Sequence, residues 1–405
     1  MTHWQGRCQI LIQSNRFNPT DSIQPIQSNR FNPADSVQPI DCCPLFLSVM
    51  NVDVFKIPQR SPDDLTGLID LIENQTLNPK SIVAIMGKTE GNGCVNDFTR
   101  GFAVATLKTY LHPLIGHDQA QQIVFVMSGG TEGVLSPHMT VFTQQTEGCD
   151  GPSHPGLAVG ICHTRDFSVD EIGTVTMVQV VAEGVTRAIH TANLSPHDVH
   201  FVQIKCPLIT SARNAQSDTS ITQDSYKSMA YSRGASALGV ALALGELRPE
   251  QITNDAICSN DALYSAVAST SAGVELKNCE ILVLGNATNS HSKYLIGHSV
   301  MEHALDTAAV QRAIESATAS LESPEQVPDI VNVFAKAEAD PTGEVLGCRH
   351  TMLDDSDINH TRMARAVVGA VIASTVQDPM VYVSGGSEHQ GPPGGGPIAV
   401  IIKRA

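Results

Sequence analysis

The sequence predicts an α/β protein built from three homologous units that pack with pseudo-threefold symmetry around one central site. Three observations lead there. A Ser-x-Gly-x-Glu pattern closes an apolar stretch three times: SGGTE at 128–132, SAGVE at 271–275 and SGGSE at 384–388. A second pattern precedes each, since LNPKSIVAIMGK (77–88) aligns without gaps on LSPHDVHFVQIK (194–205), and a looser copy, LESPEQVPDIVNVFAK, fills 321–336. Between each lysine and its serine an arginine stands at the head of a small-residue helical stretch: TRGFAVATL with Arg100, SRGASALGVALALGE with Arg233 and ARAVVGAVIAST with Arg365. The order Lys, Arg, Ser therefore recurs, and it divides the chain into units over residues 47–147, 154–288 and 295–405. Repeats of that length are domain-sized rather than the thin turns of a solenoid.

Each element has a local reason. Residues 12–25, IQSNRFNPTDSIQP, are duplicated almost letter for letter at 26–39, and this polar, apolar-poor stretch cannot bury enough surface to offset chain entropy. Residues 1–46 are expected to be a disordered extension. Its arginines Arg7, Arg16 and Arg30 are offset by Asp21 and Asp35, and no amphipathic pattern supports a transit peptide. In each unit a proline then ends one helical stretch and a β-rich run carries the lysine to its tip: Lys88, Lys205 and Lys336. Asp97 is placed to cap the helix that holds Arg100. The apolar run at 124–127 delivers Ser128 to a Gly-Gly turn, where absent side chains let a ligand approach backbone. On this pattern alone the serine is a nucleophile, an anion cradle, or part of an ordinary turn.

Composition narrows the function. With 42% hydrophobic and 16% charged residues among 405, the chain can bury a sizeable core. A formal net charge of −16 argues against nucleic acid or an anionic membrane as partner. There is no apolar run of membrane-spanning length and no secretory leader pattern, so an intracellular, cytoplasmic protein is expected. The ten cysteines show no CxxC pairing, which favours reduced thiols over disulfides or zinc. Three lysines, three arginines and three serines offer hydrogen-bond donors in threefold array. A flat ring with carbonyl oxygens around it fits that inventory. A triphosphate fits less well, because no G-x-x-x-x-G-K-[ST] loop is present. The bland alternative is that these cations are surface remnants of duplication, against which stands their position at strand tips and helix starts.

Taken in order, MGKTEGNG, DFTRGFA, MSGGTEG, SRGASALGVALALGE, STSAGVELKNCEI and VSGGSEHQGPPGGGP resemble the cyanuric acid hydrolase and barbiturase family across nearly all of the chain after its extension. The resemblance implies three repeat units in pseudo-threefold arrangement, hydrolytic opening of a cyclic amide by a Ser-Lys pair, no catalytic cofactor, and a homotetramer. It also implies a structural divalent ion, magnesium or calcium, in the C-terminal loop, with Glu338, Ser387, Gln390, Gly391, Pro392 and Gly395 as the matching positions. A Gly- and Pro-rich loop exposes carbonyl oxygens that suit a hard cation; the alternative is a rigid loop without metal.

Amide hydrolysis needs a nucleophile, a base and donors for the oxyanion. Lysine is a base only where burial or positive neighbours lower its pKa. Lys88 and Lys336 are followed two places on by Glu90 and Glu338, which in a strand share their face and favour the ammonium, whereas Lys205 precedes Cys-Pro-Leu. With Arg233 expected nearby, Lys205 is the predicted base and Ser271 the predicted nucleophile, the pair the resemblance also favours. Arg100, Arg233, Arg365, Ser128, Ser384, Lys88, Lys336 and the turn residues Gly129, Ala272 and Gly385 are expected to hold the ring's carbonyls. Ala272 is a departure, standing where the other copies have glycine, and Ser269 is a competing nucleophile. A non-catalytic binding protein of the same architecture is the alternative in function. Within the enzyme reading, retention of all three serines favours cyanuric over barbituric acid, whose ring replaces one NH by CH2.

Overall fold

A computed structural model describes residues 50–145, 153–214, 219–319, 321 and 328–404. The duplicated N-terminal segment lies outside the described residues. The first unit runs β1 (Asn51–Pro58), α1 (Thr66–Glu73), β2 (Ile82–Thr89), α2 (Phe98–Ile115), α3 (His117–Gln122), β3 (Val124–Gly129) and β4 (His138–Gln145). The second runs β5 (His154–His163), α4 (Val175–Thr191), β6 (Val199–Pro207), α5 (Ser211–Asn214), α6 (Ser225–Leu244), β7 (Ala268–Gly273) and β8 (Glu280–Ser290). The third runs β9 (Tyr294–Met301), α7 (Thr307–Thr318), β10 (Asp329–Ala337), the ribbon β11 (Glu344–Val345) and β12 (Cys348–Arg349), α8 (His360–Val376), β13 (Tyr382–Gly385) and β14 (Gly396–Lys403).

The three units share one topology. Their four-stranded sheets have the orders β1-β4-β2-β3, β5-β8-β6-β7 and β9-β14-β10-β13. In each, the strand carrying the lysine pairs in parallel with the strand carrying the serine and antiparallel with the unit's last strand. A parallel pair needs a crossover, and α2, α6 and α8 supply it. The strands read as near-continuous apolar runs because both sheet faces are covered. The outer face of each sheet packs on its own unit's helices, in three separate apolar clusters. The inner faces meet in one shared core that includes Val126 and Phe142 from the first unit, Phe201 and Leu284 from the second, and Phe334 and Tyr382 from the third. That shared core fixes three equivalent strand ends around one axis.

The lysine strands enter through short 3-10 turns at Pro79–Ser81 and Pro196–Asp198, the polar links of the repeat. Asp97 caps α2 by accepting from Thr99 N, as expected. The arginine helices begin earlier than the repeat suggests: α6 starts at Ser225 under an Asp224 cap and α8 at His360 under Asn359, so Arg233 and Arg365 lie inside their helices. Only Arg100 sits in a first turn. The cysteines of the described residues are free thiols, of which Cys206 and Cys279 are buried and Cys348 is exposed. No described helix is long and apolar enough to cross a membrane.

Candidate functional site

In the parallel pairs, strand register sets Lys88 beside Ser128, Lys205 beside Ser271 and Lys336 beside Ser384. Register partners point to the same sheet face, so each unit presents one Lys-Ser couple at its strand ends. The serines converge: Ser271 Oγ and Ser384 Oγ are 3.1 Å apart. One small pocket is lined by all three serines, by Arg100, Arg233 and Arg365, and by Gly129, Ala272 and Gly385, the residue after each serine. Gly93, Met127 and Met229 complete its wall.

The lysines lie behind the serines rather than in the wall. Each Nζ crosses to the preceding unit, the third counting as preceding the first, and donates to the carbonyl of the residue before that unit's serine: Lys88 to Val383 O (2.7 Å), Lys205 to Met127 O (3.2 Å) and Lys336 to Thr270 O (2.9 Å). Lys88 and Lys336 also donate to their own serines, Ser128 Oγ and Ser384 Oγ, both at 3.2 Å. Among the described residues no hydrogen bond joins Lys205 to Ser271. All three lysines are almost fully buried, and burial pushes each below the usual ammonium range. For Lys336 burial and then Arg233 bring it to about 7. Against that, three oxygens, Thr270 O, Ser384 Oγ and Gly385 O, surround Lys336 Nζ and match the three donors of an ammonium. That tripod favours the charged form.

The arginines are not equivalent either. Arg233 grips Glu388 with Nε (2.8 Å) and Nη2 (2.5 Å), and Arg365 grips Glu132 with Nε (2.9 Å) and Nη2 (2.6 Å). Both glutamates are the last residue of the Ser-x-Gly-x-Glu pattern, received by the arginine of the preceding unit. The third glutamate breaks the rule: Glu275 Oε1 lies 3.5 Å from Lys205 Nζ. Arg100 instead donates to Ala272 O and Cys94 O, and its buried Nε has no hydrogen-bond partner among the described residues.

This corrects the expectation that Lys205 lacks a carboxylate. Its sequence neighbours supply none, but the turn after Ser271 does, and the arginine acting on it is Arg100, while Arg233 faces Lys336. Glu90 is exposed and does not bear on Lys88; burial, Arg365 and Glu132 do, in that order. Ala272 causes no backbone strain, because the position after the serine has no left-handed φ in any unit. The glycines at 129 and 385 are needed for clearance: a Cβ at Gly129 would stand 1.8 Å from Asp97 Oδ2 and one at Gly385 2.2 Å from Thr361 Cγ2. Ser269, the competing nucleophile, is fully buried behind the site and donates to Gln203 Oε1 at 2.8 Å. Reading the sequence missed Tyr382, which takes the place of Val126 and Ser269 two residues before the serine. Its buried hydroxyl has no hydrogen-bond partner among the described residues and has Ser271 and Ser128 as electrostatic neighbours.

The family model described as "Amidohydrolase ring-opening protein" matches residues 53–403. The chain belongs to this family. It is 50% identical over 370 residues to a cyanuric acid amidohydrolase of Enterobacter cloacae, covering 88% of this chain and all of that one. It is 49% identical over 365 residues to a cyclic amide hydrolase of Azorhizobium caulinodans, covering 87% and 100%. A solved cyanuric acid hydrolase, described as an evolutionary innovation by structural concatenation, superposes with a TM-score of 0.81 at 49% identity, covering 88% of this chain and 100% of that one. The A. caulinodans cyanuric acid hydrolase structure superposes with a TM-score of 0.81 at 46% identity, covering 88% and 99%. The protein is thus a cyclic amide hydrolase of three concatenated α/β units.

The C-terminal loop gathers Glu338, Ser387, Gly391 and Pro392 around one cleft, with His360 and Asp261 beside them. Glu338 Oε1 faces His360 Nδ1 at 3.0 Å. Pro392 O already accepts from Gly395 N, and the Gln390 side-chain oxygen is turned away to accept from Thr270 N at 2.7 Å. Among the described residues no cluster of three or more His, Cys, Asp or Glu could hold a metal. A carboxylate, a hydroxyl and backbone carbonyls form an oxygen set that fits a hard divalent cation, with Gln390 able to contribute only its backbone in this side-chain arrangement.

Proposed function

We propose that this protein opens the ring of cyanuric acid by hydrolysis at one carbonyl, with Ser271 as nucleophile and Lys205 as base. The observation that supports it is the match between a ring of three identical carbonyls and one pocket ringed by three serines and three arginines, each backed by a buried lysine. The names of the relatives, about half identical over nearly their whole length, support the substrate. Ser271 Oγ attacks a carbonyl carbon while its proton passes to Lys205 Nζ, and the carbonyl π electrons move to oxygen, where the facing hydroxyl and guanidinium donors stabilise them. Collapse breaks the ring C–N bond, and the departing nitrogen takes the proton from Lys205. Water then attacks the Ser271 ester, gives its proton to Lys205, and Ser271 leaves with that proton. The product is carboxybiuret, which loses carbon dioxide to give biuret. Lys88 and Lys336 hold Ser128 and Ser384 as donors to the other two carbonyls. No cofactor takes part.

A divalent cation held by Glu338, Ser387 and the carbonyls of the C-terminal loop would supply a fixed charge that ties the loop to β10, a structural role. A homotetramer in the cytoplasm belongs to the same reading, and light scattering on the purified protein checks the assembly. Assays of cyanuric and barbituric acid with purified protein test the function. Ring opening of cyanuric acid with release of carbon dioxide is expected, with kcat/KM about 10- to 100-fold above that for barbituric acid, whose CH2 leaves a serine facing an apolar edge. A higher kcat/KM on barbituric acid overturns the substrate, and turnover of neither ring overturns the enzyme.

A further inference from the structure

The three lysines are related by pseudo-symmetry, and that symmetry fails at a single junction. After Ser128 and Ser384 the chain turns through glycines in the left-handed region, Gly130 (φ 106°) and Gly386 (φ 78°), and these turns hand Glu132 and Glu388 to arginine forks. After Ser271 the strand continues through Gly273, which has no left-handed φ. The same glutamate is thereby aimed elsewhere: Glu275 leaves Arg100 Nε without a hydrogen-bond partner and approaches Lys205 Nζ instead. Glu275 is also the accessible member of the pair, its side chain 35% exposed against 1% for Lys205.

We propose that Glu275 is the positioning residue of Lys205, a carboxylate that stays with the ammonium when Lys205 holds the Ser271 proton and turns to Arg100 Nε, which has no hydrogen-bond partner and only Asp97 Oδ2 at 3.7 Å, when Lys205 is neutral. This rests on the reading of Lys205 as the base. It accounts for why one of three similar lysines acts: at Lys88 and Lys336 the matching carboxylate is already clamped, so a change of charge there has nothing to answer it. A buried ammonium without a counter-charge is costly, and a carboxylate with two partners removes that cost at the moment the proton arrives. The groups that bear on the pair are few. Arg100 on α2 opposes the ammonium; Cys206, next along β6, favours it. Glu280, the register partner of Lys205 on β8, is pushed up to about 7 by burial; it accepts from Phe125 N and feels Lys108, Lys205 and Glu275. Glu275 itself is raised by burial, but Lys205 foremost and Arg100 hold its carboxyl below the usual range.

The test compares pH profiles of kcat/KM on cyanuric acid for the wild type, Glu275→Gln, Glu275→Asp, Glu132→Gln and Glu388→Gln. Removing the anion beside Lys205 makes its ammonium lose its proton at lower pH, so in Glu275→Gln the acid limb moves down by about one pH unit or more. The plateau kcat falls about tenfold or more because the ammonium formed in the step has lost its partner. Glu275→Asp recovers part of both. Glu132→Gln and Glu388→Gln raise KM and leave the limb in place. A limb that stays put in Glu275→Gln, or moves as far in either other variant, overturns the proposal. NMR titration of 13Cε-labelled lysine, with Lys205 assigned by Lys205→Arg, reads the same shift without turnover. If Lys205→Ala is fully active, the base assignment fails, whereas an inactive Lys205→Ala with an unmoved Lys205 titration in Glu275→Gln sinks only the role of Glu275.

Discussion

The three Lys-Ser couples were legible because each belongs to a pattern repeated along the chain, and repetition turns a weak local signal into a strong one. An inequality of Lys205 with the other two could be read from Glu90 and Glu338, but its physical cause was not legible. The inequality arises because Glu132 and Glu388 cross to arginines of other units while Glu275 stays beside the lysine of its own, and no local spacing encodes either contact. The proposed dyad makes a plain prediction. Ser271→Ala and Lys205→Ala each lower kcat by several orders of magnitude, about 10³ or more, and the double variant is little worse, since residues that act as a unit are not additive. Steady-state rates on cyanuric acid check this. Ser128→Ala, which removes a donor to a carbonyl that does not react, raises KM more than it lowers kcat.

The elements followed from the repeat with one systematic error, the starts of α6 and α8. YKSMAY and HTRM carry no apolar periodicity of their own, and their helical state depends on the caps Asp224 and Asn359, whose pairing with Tyr226 N and Thr361 N is visible only in three dimensions. Glycines inside the edge strands β5 and β9 have an equally spatial cause. A Cβ at Gly160 on β5 would meet Ala188 O of α4 at 1.9 Å, and one at Gly297 on β9 would meet Ala317 N of α7 at 2.1 Å. These helices lie so close to their sheets that backbone touches backbone, which no rotamer change relieves. Gly297→Val should therefore destabilise at the upper end of the overpacking range, about 3 kcal/mol, measured as a lower urea midpoint with unchanged slope. Gly343→Ala, at a left-handed turn with open space around it, has only its backbone strain to bear and should cost about 1 kcal/mol.

For the whole molecule, three units sharing one inner core raise the question of whether they unfold as one. A cation in the C-terminal loop would act where that loop meets Asp261 and Thr270 of the second unit, away from Lys205, so chelation is expected to lower the thermal midpoint while leaving the acid limb of kcat/KM unmoved. Calorimetry and the pH profile together check that separation. The deciding residue for cooperativity is Phe334 on β10. Its ring is tilted against Phe142 of the first unit at 6.3 Å, Phe201 of the second at 5.4 Å and Tyr382 of its own at 5.8 Å. Aromatic contacts at these separations add to area burial, and removing a fully buried phenylalanine costs about 3–5 kcal/mol. If each sheet were stable alone, Phe334→Ala would melt the third unit early and leave the others, giving two transitions. Each sheet, however, has its inner face covered only by the other two. Losing one exposes the rest of the shared core to water, and the site disappears with it because every lysine is anchored on a carbonyl of the preceding unit. Phe334→Ala should accordingly shift a single transition to lower temperature, with activity and ellipticity lost together. Separate transitions in the calorimetric trace would show that the units are autonomous and that the shared core contributes little.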